Sequence, residues 1–85
     1  MTDKKKAPTP RTERVRQIAR RYMRRDEQGN YLTFEDAELV LDHIFRLYSN
    51  VVSQYERQRD GTEVLVVNSL CGKTDFLRMR IRRDG

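Results

Sequence analysis

The chain has 85 residues, 36% of them hydrophobic and 36% charged. That length excludes more than one domain and leaves a marginal core, because small chains bury a smaller share of their surface. A single cysteine, Cys71, excludes an intrachain disulfide and the four-cysteine zinc patterns, and no apolar run nears the ~20 residues of a membrane span, so a cytoplasmic protein with no membrane partner is expected.

The first ten residues, MTDKKKAPTP, hold two prolines and the lysines Lys4, Lys5 and Lys6. With almost no apolar surface to bury, residues 1–10 are predicted to be a disordered basic arm, with residues 11–85 forming one α+β domain. Thr9-Pro10 reads as an N-cap followed by proline at the first helical position, where its missing N–H costs nothing. Val15, Ile18, Ala19, Tyr22 and Met23 then recur at helical spacing and predict a helix over about residues 10–25. Arg14, Gln17, Arg20, Arg21 and Arg24 cover its opposite side, with Arg16 and Arg25 on the flanks.

Residues 26–30, DEQGN, read as a turn in which Gly29 or Asn30 takes positive φ. The segment 26–36 lies between two predicted helices as a calcium loop would. Tyr31, however, stands where a glycine is required, and Asp36 is too short for the bidentate glutamate. Thr33 and Asp36 form a capping-box-like pair that opens a second helix. The stripe Ala37, Val40, Leu41, Ile44, Tyr48, Val51, Val52 and Tyr55 carries that helix to about Arg57, and Asp60-Gly61 ends it. Leu39, His43 and Leu47 lie off the stripe on a second ridge, a candidate protein contact or dimer seam.

Beyond Gly61 the period changes. Val64-Leu65-Val66-Val67 is a β-branched run suited to a strand covered on both faces. After a connection holding Gly72, Leu77, Met79 and Ile81 alternate with Arg78, Arg80 and Arg82, as in a half-buried strand with a cationic outer face. The expected architecture is therefore a two-helix hairpin, a short basic helix and a long one, followed by a C-terminal antiparallel β-hairpin. A two-stranded ribbon is unstable alone, so it must lie on the helices or pair across a homodimer. The order fits neither a winged helix, which needs a third helix before its wing, nor a ribbon–helix–helix arrangement, which begins with its strand.

Charge carries the functional signal. Residues 1–25 bear a net +8, residues 26–60 a net −5 and residues 61–85 a net +2. Among residues 11–25 only Glu13 opposes seven arginines, and like charges such as Arg16/Arg20 and Arg20/Arg24 at i, i+4 cost helix stability. A face that destabilises itself points to an anionic partner. The expectation is a non-enzymatic, nucleic-acid-associated regulatory protein that grips phosphates with Lys4, Lys5, Lys6, Arg14, Arg20, Arg21 and Arg24, with Arg78, Arg80 and Arg82 as a second contact. The same charge suits an adaptor or inhibitor, of the kind found among phage and plasmid accessory proteins, that docks on an acidic protein surface. His43 and Cys71 are single residues of their kinds, with no group to complete a nucleophile–base set, so no enzyme, metal or cofactor site is implied.

Overall fold

A computed structural model describes residues 10–83. The elements run α1 (Pro10–Arg20), β1 (Arg24–Asp26), β2 (Gly29–Thr33), α2 (Phe34–Leu47), β3 (Val51–Arg57), β4 (Glu63–Ser69) and β5 (Asp75–Arg82). The strands form one mixed sheet in the order β1-β2-β5-β4-β3. A helical hairpin followed by a free β-hairpin is thus the wrong architecture: strands are interspersed between the helices, and β4 and β5 pair antiparallel as the middle of a five-stranded sheet. Of the predicted basic arm, residues 1–9, including Lys4, Lys5 and Lys6, lie outside the described residues.

Two boundaries account for the difference. The first helix ends at Arg20 rather than near residue 25, so Arg24 and Arg25 fall on β1. Residues 26–30 do not join two helices but turn a hairpin. Asp26 pairs with Gly29 in register, the Asp26 carboxylate accepts from the Gln28 N–H at 2.9 Å, and Gly29 takes φ +116°. The second helix ends at Leu47 rather than near residue 57. Tyr48 is already extended, and Val51–Arg57 forms a strand paired along its whole length with β4. Val51, Val52 and Tyr55 are good strand residues, and β4 offers them a ladder that a lone helix end cannot match.

Where the local signals were unambiguous, the chain follows them. Thr33 caps α2, its hydroxyl accepting from the Asp36 N–H at 3.1 Å. The α2 stripe Ala37, Val40, Leu41 and Ile44 is buried, as are Val15, Ile18 and Ala19 of α1. Both helices cover the same face of the sheet, closing a core with Leu32, Val51, Leu65, Val67, Leu77, Met79 and Ile81. In β5 a bulge adds one residue, since Leu77 pairs with Val67 but Asp75 with Asn68. Phe76, the extra residue, is buried beside Leu77 rather than on the opposite face.

β2 and β5 are parallel, with Tyr31 opposite Arg80 and Thr33 opposite Arg82. Between them in sequence, α2 carries the chain to the far edge at β3, and β4 and β5 return to fill the middle. The sheet face away from the helices carries Arg78, Arg80 and Arg82, which alternate with the core residues Leu77, Met79 and Ile81. No helix among the described residues is long and apolar enough to cross a membrane.

Candidate nucleic-acid interface

The outer side of α1 is the more open of the two cationic regions. Burial of Val15, Ile18 and Ala19 fixes the helix, which leaves Arg14, Arg16 and Arg20 exposed, with Arg21 exposed just beyond its end. Arg20 lies 3.4 Å from Glu13, while no ion pair among the described residues involves Arg14, Arg16 or Arg21. Arg11, at the other end of the helix, is already engaged. Its guanidinium lies over the Tyr48 and Phe76 rings, 5.0 and 5.8 Å from their centroids, and donates to Asn50 Oδ1 at 2.9 Å. Arg24 is drawn to the start of α2, 3.5 Å from the Asp36 carboxylate.

The strand arginines are a different population. Arg80, only 18% exposed in its side chain, contacts the Asp26 carboxylate at 2.5 Å, Gln28 at 3.3 Å and the Gly29 carbonyl at 3.2 Å. Arg82 contacts the other Asp26 oxygen at 3.3 Å, and Arg78 contacts Glu56 at 3.2 Å. The Arg80 hydrogen bond is the main reason the Asp26 carboxyl titrates below its ordinary value. Burial opposes that shift, while the Gln28 N–H and the Arg80 and Arg82 charges assist it. The Tyr31 ring is occupied by Arg80 and Arg82, 5.4 and 5.0 Å from its centroid. Arg80 and Arg82 therefore spend their charge on Asp26, whereas Arg78 pairs with Glu56 at the surface, with about half of its side chain exposed.

Three grooves border these residues. One, of about 700 Å³, is lined at the end of the sheet by Asp26, Glu27 and Glu63 and by Arg80, Arg82 and Arg83, with equal numbers of each sign. Arg83 pairs with Glu63 and sits over the Phe34 ring, 4.1 Å from its centroid, linking the end of β5 to α2. The second, of about 350 Å³, lies between α2 and the turn after α1, where Leu39, His43 and Leu47 meet Tyr22. Leu39 is 53% exposed and Leu47 45%. The predicted ridge is thus one wall of a shallow apolar groove, with Asp42 and Arg46 at its rim.

The third groove was missed at the sequence level. About 350 Å³ in volume, it brings Arg16, Arg20 and Met23 against Asp75, Leu77, Arg78 and Met79. Only the fold joins these two segments, which lie more than fifty residues apart. Cys71 is exposed in the β4–β5 turn, where its thiol lies 3.3 Å from Ser69 Oγ, and that contact holds its pKa below the ordinary thiol value. His43 sits on α2, so the two residues belong to separate elements. Among the described residues, no three His, Cys, Asp or Glu side chains cluster to hold a metal ion. No protein-family model, curated protein or solved structure matches this chain.

Proposed function

We propose that this protein is a non-enzymatic, cytoplasmic nucleic-acid-binding regulator that grips phosphates with the outer side of α1, through Arg14, Arg16, Arg20 and Arg21. One observation carries the reading: a helix locked to the sheet by Val15, Ile18 and Ala19 leaves Arg14, Arg16 and, just past its end, Arg21 exposed with no carboxylate partner among the described residues, while Arg20 makes only an exposed pair with Glu13. A fixed helix spares the backbone ordering cost when its guanidinium groups meet phosphate, and each phosphate neutralised releases counterions. The strand arginines are left out of the contact because Asp26 and Glu56 already satisfy them.

Titration of duplex DNA and of RNA at several salt concentrations tests the reading. Affinity should fall with log salt at a slope of about −0.9 per phosphate contacted. Replacing Arg14 and Arg21 with glutamine should flatten the slope by about 2, whereas Arg78→Gln should leave it unchanged. No binding of either polymer at low salt overturns the reading.

A second reading, an adaptor or inhibitor that docks on a protein, draws support from the exposed Leu39 and Leu47 beside Tyr22 and His43. A partner of this kind is retained after nuclease treatment and lost on Leu39→Glu. A pull-down that is nuclease-sensitive and recovers no specific protein removes this reading.

A further inference from the structure

β5 is paired unequally along its two sides. On one side β4 accompanies it from Asp75 to Ile81. On the other, β2 pairs only with Arg80, Ile81 and Arg82, so Asp75–Met79 has no strand partner there among the described residues. This gap is internal to the sheet order, between β2 and β5, and α1 passes beside it.

The groove of about 350 Å³ described above lies at this gap, since Leu77, Arg78 and Met79 all line it. Successive side chains of a strand point to opposite faces, so one groove can touch three in a row only by opening onto the strand's edge. Its walls are Met23, Leu77 and Met79 for apolar contact and Arg16, Arg20 and Arg78 for charge, against the carboxylate of Asp75. Arg20 and Arg78 also reach Glu13 and Glu56 in exposed pairs, and Arg16 has no carboxylate partner among the described residues.

We propose that the Asp75–Met79 edge of β5 accepts an added strand from a partner protein: an extended segment of about five residues, roughly 17 Å long, that alternates apolar with acidic side chains. A strand edge presents both N–H donors and carbonyl acceptors, and a second peptide backbone answers both. A phosphate backbone offers acceptors alone and would leave the carbonyls unanswered beside an apolar wall. A second copy of the same edge would set Arg16, Arg20 and Arg78 against their own counterparts, a like-charge contact. An acidic segment instead meets these arginines with opposite charge. This surface shares Arg16 and Arg20 with the proposed phosphate grip and adds the β5 edge, which that grip does not use.

The test uses the full chain, free of nucleic acid, and three capped hexapeptides: alternating valine and glutamate, alternating valine and lysine, and the valine–glutamate peptide N-methylated at every second residue. Calorimetry reads affinity, and amide hydrogen exchange reads position. The valine–glutamate peptide should bind and slow exchange over residues 75–79. The lysine and N-methylated peptides should each bind roughly tenfold or more weakly. Arg16→Glu/Arg20→Glu, at two exposed positions, should weaken the first peptide by a similar factor, while Leu39→Glu should leave it unchanged. No binding, equal binding of the N-methylated peptide, or protection along the outer edge of β3 instead overturns the proposal. Protection of residues 75–79 by duplex DNA to the same extent also overturns it. Because no nucleic acid is present in the peptide arm, loss of peptide binding and loss of DNA binding are read separately.

Discussion

Asp26 joins three elements through one side chain: it shapes the β1–β2 turn through the Gln28 N–H and receives Arg80 and Arg82 from β5. Its carboxyl titrates below its ordinary value in the folded protein, so the unfolded chain binds a proton more readily. Asp26 therefore contributes stability at pH values above about 4, and that contribution is lost as pH falls through the lower folded value. Asp26→Asn keeps an acceptor for the turn but removes the charge. The expected result is a lower urea midpoint at neutral pH and a smaller further loss on acidification than in the parent chain. Equal acid-side losses would show that Arg80 draws nothing from the ionised form. Thr33 gives a second residue-scale prediction. Its hydroxyl accepts from the Asp36 N–H, so Thr33→Ala should cost about 1 kcal/mol in urea unfolding, and Thr33→Ser much less.

At the scale of elements, α1 has two sides with opposite tolerance to change. Ile18, 2% exposed, packs in the core shared with β5, and Ile18→Ala should cost about 2–4 kcal/mol by chemical denaturation. Arg14 is exposed and has no ion pair among the described residues, so Arg14→Ala should change stability by no more than about 0.5 kcal/mol. A large stability loss at Arg14 would mean that the face is structural, and the case for a phosphate grip would weaken. At the α2–β3 boundary the helix and strand signals overlap. Ile44, Tyr48, Val51, Val52 and Tyr55 satisfy a helical spacing, and Val51, Ser53 and Tyr55 equally satisfy a strand alternation. Period alone cannot separate the two. The β-branched pair Val51-Val52 and the Ser49-Asn50 bend were the local cues, and pairing with β4 decides the outcome.

At the scale of the molecule, a single core serves both helices and the sheet, and Leu65 lies at 0% exposure on the interior strand β4. Domains of this size hold roughly 0.05–0.15 kcal/mol per residue, so a Leu65→Ala loss of about 2–5 kcal/mol takes a large part of the total. Thermal unfolding of Leu65→Ala should show a drop of ten degrees or more by the usual scaling, on the order of 4–8 °C per kcal/mol. Charge is divided at this scale too. The open arginines sit on α1, while those of β5 lie on the opposite sheet face, paired with Asp26 and Glu56.

What the residue order determines by itself is local: the start of the first helix, the Thr33 cap, the buried stripe of α2, the apolar β4 run and the alternation of β5. Each depends on neighbours within a few positions, where propensity and period act. Tertiary structure alone decides the parallel pairing of β2 with β5 and the conversion of residues 51–57 into a strand. It also decides the fate of the strand arginines, because Asp26 reaches Arg80 across 54 positions of sequence. Side chains so far apart meet only when the sheet closes. Arginines that look alike in the sequence are therefore ion-paired across the fold on β5, while Arg14 and Arg16 of α1 have no ion pair among the described residues.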